Sequence, residues 1–279
     1  MSAQAVARPE SWARSTLDYY TTTVRTQLQV QFQYRAATYM YMVGMVAEPV
    51  IYLVVWTTIA RSQGGTVQGI GVGQFAAYYV VWTLVRGWNV VFTPYGWEWR
   101  IREGELSASL LRPQHPIHFE LAWWLGQKLV WCVMYVPVFV ILTLVFHPAL
   151  HPRPLEVVVF LFAIGGAYVI RTINNFILGM ITIWTTRASA IFEFWFLSEL
   201  LLSGRLLPLQ LMPQWVQSLT AWFPFKWTFY FPIEALVGNM SNATLLRGVG
   251  MQVLWIVICA AGMRVIWRFS TRHYSAVGN

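Results

Sequence analysis

Charge is scarce in this chain. Only 11% of its 279 residues are Asp, Glu, Lys or Arg, while 57% are hydrophobic. Soluble domains carry about a quarter charged residues and slightly under half apolar ones. A water-soluble fold of this length cannot hide so much apolar surface, because most of its outer atoms must face solvent. Cysteine is nearly absent as well. Cys132 and Cys259 both lie in apolar runs with no CxxC spacing, which excludes a disulfide framework and a thiolate metal site. Asp18 is the single aspartate, outside the apolar runs, and no HExxH, GxSxG or paired His–carboxylate pattern occurs. His147 and His151 stand four apart, but Pro148 and Pro152 forbid the helix that a metal pair on one face needs. No catalytic residue and no metal ligand are therefore assigned. A G-x-x-x-x-G-K-S/T loop is also missing, so the chain has no phosphate cradle of its own.

What the chain does have is apolar length and aromatic rings: 16 Trp, 13 Tyr and 17 Phe. A bilayer accommodates the first, and interfacial belts account for part of the second. An α-helical span takes roughly 20 mostly apolar residues. Five stretches qualify, at about 38–60, 72–93, 119–146, 155–184 and 248–268, and a shorter sixth runs over 188–204. Residues 205–238 are apolar but broken by Pro208, Pro213, Pro224 and Pro232, which fits half-helices re-entering the membrane better than one straight span. Residues 14–35 give two periodicities. Leu17, Tyr20, Val24, Leu28 and Phe32 recur at helical spacing, whereas QLQVQFQY (27–34) alternates like a strand. A lone strand would have no partner, so an amphipathic helix in the inner interface is expected. The expected fold is all-α and integral to the membrane: one domain over 1–279, with six transmembrane helices, an N-terminal interfacial helix and a re-entrant element before the last span.

The net charge of +8 comes almost wholly from Arg. In a soluble protein it would suggest nucleic acid; here the positive-inside rule explains it, and no nucleic-acid partner is expected. With the N-terminus inside, the cytoplasmic segments hold 11 of the 19 basic residues and the external ones 5, so both termini are placed in the cytoplasm.

Six ionisable residues fall within or beside the spans: Glu48, Arg86, Lys128, Arg171, Glu193 and Glu199. Charges at membrane depth are costly and face a cavity or a partner. Glu48, Arg86, Arg171, Glu193 and Glu199 are accordingly expected along a substrate path. Ion pairing between spans, or from Arg187 to the two later glutamates, is the structural alternative. Unpaired, Glu48, Glu193 and Glu199 would suit a cationic cargo.

The loop YGWEWRIREGELSASLLRPQHPIHFE (95–120) carries the densest information. Gly104 punctuates its charged start, Leu106, Leu110 and Leu111 are expected to share a face while Ser107 and Ser109 point elsewhere, and Pro113 and Pro116 stop it. A short helix with such limits suits docking into a groove on another protein. Its core, IREGELSASLLRPQHP (101–116), resembles the G-x-L-x-x-x-L-L-R-P pattern of ABC-2-type exporter permeases, nearest those of bacterial viologen and multidrug exporters. The run LSGRLLPLQLMPQWVQSLTAWFPFKWTFYFPIEALVG (202–238) is similar to the same family, with Ser-Gly, Pro-x-Trp and Pro-Phe in order. The resemblance covers nearly the whole chain.

The resemblance implies a half-transporter in a bacterial inner membrane, in contact with lipid. A second permease, identical or homologous, would complete the path, and separate nucleotide-binding subunits would hold ATP and Mg while this chain binds no cofactor. The loop over 95–118, with Arg102, Glu103, Glu105, Leu106, Leu110, Leu111 and Arg112, would couple those subunits to the spans. The chain would then be a transport subunit and not an enzyme, expelling an amphiphilic or hydrophobic substrate. An exporter of lipid or polysaccharide is the nearest alternative. A secondary transporter would show inverted repeats, and none is found.

Overall fold

A computed structural model describes residues 12–185, 188–238 and 240–274. The described chain is almost entirely helical: α1 (Trp12–Gln33), α2 (Arg35–Ser62), α3 (Val72–Trp88), α4 (Pro94–Arg102), α5 (Glu105–Leu110), α6 (Pro116–Phe146), α7 (Pro154–Ile181), α8 (Ala188–Leu202), α9 (Gln214–Thr220), α10 (Tyr230–Val237) and α11 (Asn242–His273). Two-residue strands β1 (Thr66–Val67) and β2 (Ile70–Gly71) form a tight hairpin between α2 and α3. Its turn residues Gln68 and Gly69 both take positive φ, as a two-residue hairpin turn requires.

Helix starts follow local chemistry. Pro94, Pro116 and Pro154 each open a helix, where a missing N–H costs nothing and the fixed φ is already helical. Thr93, His115 and Ser241 accept backbone N–H bonds at the starts of α4, α6 and α11. At α7, the Glu156 carboxylate accepts the backbone N–H of Arg153 at 2.7 Å.

Among the described residues four helices are long and apolar enough to cross a membrane: α2, α6, α7 and α11. The other two expected spans come out short. Helix α3 has 17 residues and α8 has 15, about 25 and 22 Å at 1.5 Å per residue. The stretch 72–93, expected as one span, stops at Trp88; residues 89–93 are irregular before α4 begins. Helix α8 is likewise followed by irregular chain, which includes a 3₁₀ turn at Leu209–Leu211. The proline-rich 205–238 segment resolves into short pieces, α9, α10 and two 3₁₀ turns: Pro208, Pro213 and Pro224 each stand at the start of a new piece, while Pro232 is accommodated in the first turn of α10.

Helix α7 is the axis of the bundle. In its most apolar stretch 56% of residues are buried, against 17–22% in the other three long helices. It packs along α11, with Gln252 donating to the carbonyls of Ala163 and Trp227 at 2.8 and 2.9 Å. A second core joins α2, α3 and α10 through Leu53, Phe75, Trp82, Phe229 and Ile233. The region 14–35 is helical, as expected, and QLQVQFQY shows no strand. Helix α1 runs lengthwise along the first half of α6: the Tyr20 hydroxyl meets Nδ1 of His118 at 2.9 Å, and Val24 and Gln27 pack against Gly126. Its apolar stripe is therefore divided. Tyr20, Val24 and Leu28 are partly covered, Leu17 and Phe32 point outward, and the polar Gln27 is the buried residue.

Candidate functional site

Two groups of the expected site residues occupy different ends of the bundle. The first surrounds α4 and α5 beneath α7. Trp97 is buried and meets the ring of Phe176 edge-on, with centroids 4.7 Å apart. Gly179 makes this approach feasible, since a Cβ there would overlap the Trp97 side chain. Leu106 joins the same core with Ile117 and Met180, against Ile266 and Trp267 of α11. The Ser107 hydroxyl lies 3.0 Å from that of Tyr274, just past the end of α11. Gly104 supplies the left-handed residue that turns α4 into α5.

This geometry separates the three leucines expected to share a face. Leu106 is 1% exposed and belongs to the core, whereas Leu111 is 89% exposed. Helix α5 is only six residues long and ends at Leu110, so Leu111 leaves the helix before it can align with Leu106. Arg102, Glu103, Glu105, Leu110, Leu111 and Arg112 all lie on the exposed side. Beside them opens a cleft of about 470 Å³ lined by Tyr19, Arg100, Glu105, Ser109, Arg112 and Phe119. At its floor Arg100 pairs with buried Glu120 at 2.7 Å and lies over the Phe92 ring. Burial pushes His115 down to about 4, so it stays neutral and accepts the N–H of Ile117. Tyr95 donates to Glu193 at 2.6 Å, and this bond, ahead of burial, pushes the phenol up to about 12.

The second group lies deeper. Glu48 on α2 meets Arg86 of α3 at 2.7 Å and Arg205, just past α8, at 2.6 Å. Arg171 on α7 meets Glu199 of α8 at 3.1 Å. Phe229 sits among them, its ring 5.5 Å from the Arg171 guanidinium and 5.9 Å from that of Arg205, and stacks on Trp82. Glu48, Arg86, Arg171 and Glu199 thus converge, each in an ion pair, while Glu193 stands apart with Tyr95. Arg187 lies outside the described residues. Sequence reasoning missed Arg205 by assigning it to an external segment, and missed Phe229 altogether. The signal for Arg205 was its place directly after LLLSG, within a turn of the sixth apolar stretch.

Between the two groups runs the irregular 89–93 segment. Lys128 donates to the Val90 carbonyl and lies 4.5 Å over the Tyr168 ring. Asn175 donates to Phe92 at 3.1 Å, and Asn89 itself donates to Thr228 at 2.5 Å. Such bonds from protein neighbours are what allow non-helical backbone at membrane depth.

No curated protein matches the sequence. A family model described as ABC-2 family transporter protein matches residues 46–278, from the middle of α2 to beyond α11. It therefore includes the α4–α5 element and both ion-paired carboxylates of the deep group. A bundle with four helices long and apolar enough to cross a membrane and this match together identify a transmembrane subunit of an ABC transporter, in a family that works with ATP-binding subunits. The chain belongs to the ABC-2 family of transporter proteins.

Proposed function

We propose that this permease exports an amphiphilic or hydrophobic substrate, powered by a separate ATPase that docks on α4 and α5. The observation that carries the proposal is the division of labour within this element. Its outer side presents Glu103, Glu105, Leu110, Leu111 and Arg112, while Trp97 and Leu106 fix its inner side to α7 and α11. A docked subunit that moved α5 would thereby move the central helix of the bundle. ATP and Mg belong to that ATPase. Two copies of this chain, or this chain and a homologue, would enclose the path in a bacterial plasma membrane, with both termini cytoplasmic. A cationic cargo loses its sequence rationale, because Glu48, Glu193 and Glu199 each have a bonded partner.

The test is purification from the native cell in mild detergent with mass spectrometry of what co-elutes. The expected result is an ATP-binding subunit at one copy per permease, lost in a Leu110→Asp/Leu111→Asp variant that melts like the wild type. Intact co-purification in that variant would remove α5 as the docking element. Absence of any ATPase under several mild conditions would move a secondary transporter to the front.

A further inference from the structure

We infer that the deep arginine cluster is a binding site for an anionic oxo group, phosphate or carboxylate, carried by the transported amphiphile. This rests on the transport reading above and adds the charge of the substrate to it.

Arg86, Arg171 and Arg205 face two carboxylates, Glu48 and Glu199, so the cluster holds one more positive charge than negative. Buried charges are expected in matched sets, since an unmatched one bears its desolvation cost without compensation. The donors are in surplus too. Three guanidiniums carry fifteen N–H donors between them. Among the described residues the buried Nε of each of the three has no acceptor. Glu199 is spent on Arg171, and Glu48 is already shared between Arg86 and Arg205.

Arg205 is the supernumerary member. Without it, Arg86–Glu48 and Arg171–Glu199 remain as two complete pairs. It is also placed for access: it follows Gly204, which turns the chain at φ +80, and it lies beyond the end of α8. The three arginine side chains retain 12–17% exposure, so each keeps a part that an anion can approach although its Nε is covered. Planar forks of this kind match the oxygens of phosphate or carboxylate bidentately. Phe229, beneath two of the guanidiniums, offers an apolar face to the adjoining part of an amphiphile.

The experiment uses the full chain in zwitterionic phosphatidylcholine nanodiscs. Radiolabelled dodecyl phosphate is the probe, with dodecyltrimethylammonium and inorganic phosphate as competitors. Wild type should bind dodecyl phosphate about tenfold or more tightly than the cationic detergent, the size expected of one charge-assisted hydrogen-bonded contact. Arg205→Gln should lose about tenfold of that preference, Arg205→Lys should keep part of it, and Arg61→Gln, at the exposed end of α2, should keep all of it. Arg205→Gln gives up one of the two arginines on Glu48 but leaves the Arg86–Glu48 and Arg171–Glu199 pairs, so it should melt less far below wild type than a Glu48→Gln variant; a purely structural arginine would lower the melting temperature and leave the charge preference intact.

Millimolar inorganic phosphate displacing the probe as well as dodecyl phosphate does would identify a free anion as the ligand. Displacement by dodecyl phosphate alone would identify the amphiphile. Equal binding of the anionic and cationic detergents overturns the site, and so does an unchanged preference in Arg205→Gln. Binding needs no ATPase, so the two readings fail separately. An associated ATPase without charge preference removes only the anion site, and charge preference without an associated ATPase removes only the exporter.

Discussion

At the α4–α5 end of the bundle Glu98 and Arg102 pair within one turn of α4, at 2.8 Å, with the glutamate side chain 18% and the arginine side chain 48% exposed. At membrane depth Glu48 is held by arginines 38 and 157 residues further along the chain, on α3 and beyond α8. Both arrangements are Arg–Glu contacts of the same length, yet they do different things. The first is local, with its arginine end open to water, and is replaceable; the second ties three elements around one carboxylate that itself keeps 28% exposure, with its two arginine ends largely covered. Distance alone says little about what an ion pair contributes. The number of elements it ties and the exposure of its two ends say more.

That contrast can be broken by substitution. The largest effect is expected for Glu48→Gln, which leaves Arg86 and Arg205 without a counter-charge and should cost about 2–3 kcal/mol, below the scale of a fully buried pair because Glu48 keeps 28% exposure. Thermal melting in detergent checks it; a change under about 0.5 kcal/mol would mean that water reaches the cluster and that the two regions are alike. Gly179→Ala comes next. The new methyl group must displace Trp97, at about 2 kcal/mol for overpacking, and should weaken the coupling of partner ATPase activity to transport more than it weakens ATPase docking. Equal loss of both would place Trp97 in the docking surface instead of behind it. The smallest effect is expected for Glu98→Gln: less than about 0.5 kcal/mol in the same melting assay, and smaller still at high salt. A loss as large as that of Glu48→Gln would erase the distinction between a screened pair and a closed one.

The same contrast separates what was legible in the sequence from what was not. Apolar length and helix-start chemistry are local, so α2, α6, α7 and α11 could be placed from composition and from the prolines and caps at their ends. The boundaries of the α4–α5 element were local too, set by Pro94, Gly104 and Pro113. Leu106 was harder. Its neighbours Phe176 and Trp267 come from distant helices, and nothing in ELSASLL distinguishes the leucine that is buried from the one that is not. The break after Trp88 was hidden for a related reason: VVF in 90–92 reads as apolar span, and only Lys128 and Asn175, from other helices, satisfy its carbonyls. The charges within spans were flagged by their cost, but their pairing depended on Arg205, which hydropathy had assigned to the outside.

The break at 89–93 also determines how force can travel through the subunit. A continuous helix from the β1–β2 hairpin to α5 would act as a push-rod, carrying any rotation of one end straight to the other. Here the rod is cut: α3 and α4 are joined by five irregular residues, Asn89 and Val90 bonded back to the end of α3 and the segment tied sideways to Lys128, Asn175 and Thr228. A torque applied at α5 is therefore handed sideways, through Trp97 and Leu106, to α7, whose axis runs unbroken for 28 residues. In the proposed exporter, the stroke that reaches the opposite face would follow the tilt of that one helix.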